Sequence, residues 1–206
     1  MRLRHSNSGR LILGVTGVIG AGKSTLCEYL EREHGFAWIH ADKLVHDIYK
    51  RGQEGYEIIR REFGSEFVGE EEVDRARLRS LVLGDALQLR KLNAAMQPVI
   101  TDLVHKKIVQ LKEGGAGAQK SICIESFYFD EGQMGQFVDS ILLVDAPTKV
   151  IKARLLAKAG NERNIPEAEL DKLILIQRLN LPKADYVIDN NATLSDFFAK
   201  IQDVLE

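Results

Sequence analysis

Residues 17–25 read Gly17-Val18-Ile19-Gly20-Ala21-Gly22-Lys23-Ser24-Thr25 and fit the pattern G-x-x-x-x-G-K-[ST] at every fixed position. Glycines let successive backbone N–H groups turn inward around a polyphosphate, where a Cβ would block the approach. Lys23 can neutralise the β- and γ-phosphates as a point charge, and the Ser24 hydroxyl can bind Mg²⁺. The stretch therefore predicts a phosphate loop that binds ATP through Gly17, Ile19, Gly20, Ala21, Gly22, Lys23, Ser24 and Thr25.

The segments on either side of the loop favour this interpretation. Residues 11–16 form an apolar run typical of a buried strand, and Leu26, Leu30 and Gly35 outline a helix that ends at a glycine. A helix in this place aims its positive N-terminal end at the bound anion. A glycine-rich turn without a ligand is the less favoured alternative.

Composition limits the class of protein. The chain has 206 residues, of which 45% are hydrophobic, enough for one α/β domain with insertions rather than two independent domains. A net charge of -2 argues against binding to nucleic acid or a membrane surface. No apolar run approaches a membrane span, and residues 1–10 are polar and basic, unlike a signal peptide. We therefore expect a cytoplasmic protein with small-molecule substrates, with a monomer favoured although the sequence does not give the oligomeric state.

The two cysteines carry no redox or metal pattern. Cys27 lies on the predicted helix after the phosphate loop and Cys123 lies in an apolar strand, without C-x-x-C spacing or a histidine at a metal-ligand interval. Buried free thiols are favoured over a functional pair, because cysteine packs as a small hydrophobic residue.

Four further apolar segments predict the other strands of a parallel sheet: residues 36–39, 121–124, 140–145 and 186–188. Stretches with apolar residues at helical spacing separate them, which favours a doubly wound α/β fold. We therefore expect a three-layer fold of the P-loop NTPase type, in which helices flank a five-stranded parallel sheet.

Gly52 to Lys112, between the second and third predicted strands, is almost entirely helical in pattern. An insertion above the carboxyl ends of the strands suits a second substrate. Asp74 is expected to cap one of its helices, and Pro98 indicates either a kink or a fresh helix start.

After the fourth strand, two predicted helices surround a polar turn at residues 160–166 and form a mobile basic hairpin. Its cations are Lys149, Lys152, Arg154, Lys158, Arg163 and Arg178. For each cation alone a solvated face is favoured, but we expect one of the set to reach the transferring phosphate. The second helix spans residues 167–179, and a last helix from Thr193 begins with a capping box completed by Asp196.

Polar residues follow the second and third strands, where a parallel sheet places them beside the phosphate loop. Asp42 can act in catalysis or cap the following helix, and the two roles are compatible. His40 stays open between a loop residue, a ligand contact and a neutral hydrogen-bonding partner. Glu125 is equally suited to holding Mg²⁺ or its water shell and to a plain loop position. The aromatic residues 127–129 are expected to pack under the helical insertion rather than to stack on a base.

Several phrases of the chain occur in a fixed order: residues 14–25, His40-Ala41-Asp42, residues 59–64, Asp74-Arg75-Ala76-Arg77-Leu78 and residues 184–191. Through them the chain resembles the dephospho-CoA kinase family from about Leu11 to Leu205. The P-loop is shared with many families, whereas the ordered set of later phrases makes the resemblance specific.

The resemblance implies phosphorylation of the ribose 3′-hydroxyl of dephospho-CoA by Mg-ATP, the last step of coenzyme A synthesis. It implies that Asn190 and Asn191 contact ATP, and that Asp42, Arg75 and Gln97 contact the substrate. It also implies a nucleotide-binding core, a helical coenzyme A subdomain and a lid. These are placed at residues 11–51, 119–146 and 184–206 for the core, 52–118 for the subdomain and 147–183 for the lid.

The chain departs from the family pattern in several places. His40 replaces the first acid of an Asp-Ala-Asp phrase, and Gln97 replaces a histidine before Pro98. Ser126 begins a phrase that starts with proline in the family, Lys158 replaces an arginine, and the span from Gln177 to Ala184 is shorter. These departures bear on substrate affinity and lid chemistry more than on ATP binding.

The expected chemistry is in-line phosphoryl transfer. Asp42 orients the attacking hydroxyl and accepts its proton, while Lys23 and Mg²⁺ hold the phosphates. Ser24 and Asp42 are the expected metal ligands, and Arg154 screens charge on the moving phosphoryl group. Two alternatives stay open: a kinase for another nucleotide or small metabolite, and a nucleotide-binding regulator without transferase activity.

Overall fold

The computed structural model describes residues 10–113, 120–130, 132–157 and 165–206, which form two compact units. The sheet unit contains the described residues up to Ile39 and from Gln110 onward, and the helical unit is His40–Val109. The expected division into a core, a subdomain from residue 52 to 118 and a lid stays a prediction.

A five-stranded sheet forms the centre of the sheet unit. The strands are β1 Ile12–Thr16, β2 Ala37–His40, β3 Ile122–Glu125, β4 Ser140–Asp145 and β5 Tyr186–Asp189. Their order is β2-β3-β1-β4-β5, and the pairs β1–β3, β1–β4 and β4–β5 are parallel. The order reverses direction at β1, and ligands of such sheets bind at this switch point, beyond the carboxyl ends of the strands. The predicted parallel α/β fold is confirmed, with the phosphate loop directly after the central strand.

Two aspartates join the amino ends of neighbouring strands. Asp139 precedes β4, where its amide donates to the Ile12 carbonyl at 2.8 Å and its Oδ2 accepts from the Ile12 amide at 2.7 Å. Asp185 precedes β5 and makes the same two bonds to Ile141, at 2.9 and 2.8 Å. A one-residue slip of either strand would break both bonds of its aspartate, so these pairs help to fix the register.

Helices α1, α6, α7 and α8 pack on the sheet. The helices of the chain are α1 Lys23–His34, α2 Ala41–Ile48, α3 Glu54–Phe63, α4 Arg75–Gly84, α5 Ala86–Glu113, α6 Thr148–Ala157, α7 Glu167–Leu179 and α8 Leu194–Leu205. Ile151 of α6 and Ile174 of α7 belong to the same apolar core as the buried residues of β1 and β4. Both described helices of the expected lid therefore contribute to the core of the sheet unit.

Several predicted helix ends are confirmed. Gly35 is left-handed and its amide donates to the Leu30 carbonyl, which ends α1. Thr193 and Asp196 form the predicted capping box of α8. In the helical unit, Asp74 caps α4 by accepting from the Arg77 amide at 2.9 Å.

Two alternatives that the sequence left open are decided by the structure. The N-cap of α2 is His40, and Asp42 lies inside the first turn because β2 runs into the helix without a loop. Pro98 does not start a new helix: α5 continues through it for 28 residues, with Met96 and Val99 in one apolar cluster. Phe129 packs on Gly14 of β1, where its ring fills the space that a Cβ would need, and the expected packing of residues 127–129 under the helical insertion stays a prediction.

Cys27 and Cys123 are buried free thiols, as predicted. Burial, with the Cys123 thiol beside it, raises the pKa of Cys27. Burial and a raised pKa both favour two unreactive thiols. Within the described ranges, no helix combines the length and the apolar character needed to cross a bilayer.

Candidate active site

The phosphate loop has a backbone that only glycine allows at three positions. Gly17, Gly20 and Gly22 have φ values of 144°, 74° and 117°. A Cβ on Gly17 would lie 2.3 Å from the Val144 carbonyl oxygen, and one on Gly22 would lie 2.2 Å from Asn190 Nδ2. The loop therefore passes so close to β4 and to the end of β5 that side chains at these positions are excluded.

The Gly17→Ala variant tests this close approach. Left-handed strain and overpacking together should cost about 3–5 kcal/mol of unfolding free energy and disturb the loop. Gly35→Ala is the matched control, because Gly35 also has a positive φ of 67° but no atom of the described residues lies within 4 Å of its missing Cβ. It should lose only about 1–2 kcal/mol. Urea denaturation measures both losses, and equal losses would mean that strain alone, not the contact with Val144, matters at Gly17.

The charged end of Lys23 lies against the first residues of the phosphate loop. Its Nζ donates to the carbonyl oxygens of Gly17 at 2.9 Å and of Val18 at 3.1 Å. α1 begins at this residue, and its N-cap, Gly22, has no side chain to cap the helix. The first amides of a helix have no intrahelical acceptor and carry the positive end of the helix dipole. The Lys23 ammonium and the N–H groups of the first turn of α1 therefore lie close together, and this arrangement suits the binding of a polyphosphate.

Ser24 and Glu125 form an oxygen-rich pair beside Lys23. The Ser24 hydroxyl donates to Glu125 Oε1 at 2.8 Å, and Glu125 is buried at the carboxyl end of β3. The expectation that Glu125 stands near the phosphate loop is confirmed. Hydroxyl and carboxylate oxygens are the hard ligands that Mg²⁺ prefers. Among the described residues there is no cluster of three or more His, Cys, Asp or Glu side chains that could hold a metal.

Asn190 and Arg154 both hydrogen-bond to the Ala21 carbonyl of the phosphate loop. Asn190 is buried after β5, and its Nδ2 donates to the Ala21 carbonyl at 2.8 Å. Arg154 of α6 donates to the same carbonyl at 3.3 Å and to the Asn190 carbonyl at 3.0 Å. Asn191, also expected to contact ATP, is exposed. These contacts show Arg154 supporting the loop, and its contact with a moving phosphoryl group stays a prediction.

Gln177 is a residue that the sequence reasoning missed. Its Oε1 accepts from the Ile19 amide in the phosphate loop at 2.8 Å. Leu170, Leu173, Ile174 and Gln177 follow one helical stripe, so a polar residue on an apolar face was the available signal. Next to it, Arg178 donates to Asp145 Oδ1 at 2.9 Å.

The helical unit carries the residues expected to bind the second substrate. Asp42 is exposed in the first turn of α2, and Gln97 is buried on α5. Arg75 begins α4, and its Nη1 lies 2.5 Å from His46 Nε2. A guanidinium only donates, so the His46 ring nitrogen is the acceptor in this contact. Lys158 and Arg163 lie outside the described residues.

Comparisons with known proteins bear directly on this site. The family model described as dephospho-CoA kinase matches residues 11–196. A curated dephospho-CoA kinase of Carboxydothermus hydrogenoformans is 32% identical over 95% of this chain and 93% of its own length. A crystal structure from Thermus thermophilus aligns over 95% of this chain and 96% of its own with a TM-score of 0.69 and 26% identity.

A dephospho-CoA kinase structure from Campylobacter jejuni has a TM-score of 0.58 over 93% of this chain and 94% of its own, at 23% identity, and shares the fold. The family match covers the phosphate loop, the helical unit and β5 with Asn190 directly after it. The chain therefore belongs to the dephospho-CoA kinase family, whose members catalyse the final step of coenzyme A biosynthesis.

Proposed function

We propose that this chain transfers the γ-phosphoryl group of ATP to the 3′-hydroxyl of dephospho-CoA. The observation that carries the proposal is the phosphate loop, in which Lys23 Nζ lies against the Gly17 carbonyl and Ser24 is bonded to the buried Glu125. The family assignment supports the choice of acceptor, because a P-loop alone is common to kinases with many acceptors.

ATP binding falls to the loop amides, the Lys23 ammonium and Asn190. The glycines let the backbone approach the triphosphate, and Lys23 balances part of its charge. Asn190 and Arg154 brace the loop through the Ala21 carbonyl, which keeps its amides in place before the nucleotide arrives. In this proposal Arg154 also screens negative charge on the transferring group.

Mg²⁺ would be held by Ser24 and Asp42, with Glu125 orienting the Ser24 hydroxyl. Their donor set of a hydroxyl and carboxylates fits the ion. When bound, Mg²⁺ supplies charge neutralisation on the phosphate oxygens. Ser24 would provide an oxygen ligand to the ion. Glu125 accepts a hydrogen bond from the Ser24 hydroxyl.

Asp42 is the proposed base. It orients the 3′-hydroxyl of the acceptor and takes its proton as the new O–P bond forms and the bond between the γ-phosphorus and the bridging oxygen breaks, which releases ADP. Its exposed position in the first turn of α2 supports this role, because an exposed carboxylate can be reached by a substrate. Arg75 and Gln97 are proposed to contact the acceptor.

The setting we propose is a cytoplasmic monomer that uses only small-molecule substrates. The two buried free thiols fit a reducing compartment. The net charge of -2 gives the whole chain no excess of positive charge for nucleic acid.

ADP release in a coupled assay with dephospho-CoA, AMP and other nucleotides as competing acceptors tests the proposal. We expect kcat/KM for dephospho-CoA to exceed that for every mononucleotide at least tenfold. A preference for a mononucleotide would make the chain a different kinase. ATP binding without transfer to any acceptor would make it a regulator, which no structural observation favours.

A further inference from the structure

The last turn of α7 reaches the phosphate-loop region through two adjacent side chains. Gln177 Oε1 accepts from the Ile19 amide at 2.8 Å. Arg178 donates to Asp145 Oδ1 at 2.9 Å and to the Ala146 carbonyl at 2.6 Å. Adjacent residues on a helix point about 100° apart, so the same turn is anchored to the loop by one side chain and to the end of β4 by the other.

The Ile19 peptide leads into the glycine-rich part of the loop. Gly20 and Gly22, which follow it, have positive φ values and belong to the residue type with the greatest conformational freedom. The loop closes on itself through one turn, in which the Ala21 amide donates to the Val18 carbonyl at 3.2 Å. The Ile19 amide lies inside this turn, and its direction is set by Gln177. A bond at this amide therefore limits the rotation of the peptide that leads into the glycines.

Gln177 is placed for this contact at some cost to packing. The buried residues Leu170 and Ile174 precede it on the core-facing stripe of α7, and Gln177 is itself partly buried. A polar amide in such a place is tolerated only when it is hydrogen-bonded. A leucine would continue the apolar stripe but would leave the Ile19 amide without this acceptor.

We propose that Gln177 is a positioning residue for ATP binding: it fixes the Ile19 amide and thereby the conformation of the first half of the phosphate loop. The inference rests on the proposed function, because it concerns the same nucleotide. Arg178 holds α7 against β4, so the position of this helix and the shape of the loop are coupled.

Gln177→Leu tests the proposal, with Gln202→Leu on the exposed face of α8 as the matched control. Losing one hydrogen bond from the prepared loop should weaken ATP binding about fivefold to tenfold. Because the acceptor hydroxyl is not involved, kcat and KM for dephospho-CoA should stay within about twofold. The control should leave all three constants unchanged.

Two measurements separate positioning from a loss of fold. The amide resonance of Ile19 in ¹⁵N-labelled protein should shift upfield in Gln177→Leu and stay in place in Gln202→Leu. Gln177→Asn keeps a polar side chain but is one methylene shorter, and it should also weaken ATP binding while it unfolds at nearly the wild-type temperature.

Unchanged ATP affinity in both Gln177 variants, beside a wild type that binds ATP, would overturn this inference and leave the proposed function standing. Tighter binding would also overturn it, because Gln177 would then compete with the nucleotide for the Ile19 amide. A wild type that binds no ATP would overturn the proposed function and this inference together.

Discussion

Replacing Lys23 by methionine is expected to lower kcat/KM for ATP by roughly a hundredfold to a thousandfold, the usual effect of removing one prepared charge from a phosphoryl-transfer site. The side chain keeps nearly the same length, so the loss reports the ammonium. That ammonium now bridges the Gly17 and Val18 carbonyls. Both contacts vanish in the variant, so loop order and phosphate charge are affected together. Initial rates of ADP release at varied ATP concentration measure the effect.

Arg32→Met is the matched control for Lys23. It removes a cation from the other end of α1, where Arg32 is exposed and pairs with Glu28 at 3.9 Å. Activity should stay within about twofold, because an exposed ion pair contributes little and is far along the helix from its positive end. If both variants lost activity equally, general damage to α1 would explain the loss. The proposed binding of the ATP phosphates by the Lys23 ammonium would then be contradicted.

Replacing Asp42 by asparagine should lower kcat about a hundredfold or more, because the amide cannot accept the proton of the acceptor hydroxyl. The shape of the side chain is kept, and the first turn of α2 stays helical. ATP binding should be nearly unchanged, since it depends on the loop after β1. Single-turnover rates with dephospho-CoA, together with calorimetric titration of ATP, separate the two steps.

Asp47→Asn is the matched control on the same helix. Its carboxylate is exposed and bonded to Lys50 at 2.8 Å, which lowers the pKa of Asp47. It therefore stays charged at neutral pH without being placed for catalysis, and its loss should leave kcat within about twofold. A wild-type kcat in Asp42→Asn would remove Asp42 from the mechanism.

The sheet could be predicted because its strands carry local signals. β4 is a continuous apolar run, and the predicted bounds, residues 140–145, agree with Ser140–Asp145. α7 was predicted over residues 167–179 and spans Glu167–Leu179, because its apolar stripe lies between Pro166 and a polar end. Helix α2 was placed less well, since no turn residue separates it from β2 and the cap could not be recognised.

The site was predictable only where its residues are neighbours in the chain. The motif at residues 17–25 is by itself enough to predict a nucleotide phosphate as the ligand, and Ser24 follows Lys23 directly. Gln177 contacts Ile19 across 158 positions, and Asn190 contacts Ala21 across 169. No periodicity in the sequence encodes such pairs, because they depend on the order of strands and on the helix that packs over the loop. Asn190 was named through family resemblance, and its bond to Ala21 came from the structure.

Asp139 and Asp185 tie strands together at the end of the sheet opposite to the phosphate loop. Alignment of the strands is thereby secured away from the chemistry. The residues at the loop end therefore do not have to supply the contacts that set strand register, and their side chains are left to serve the ligand.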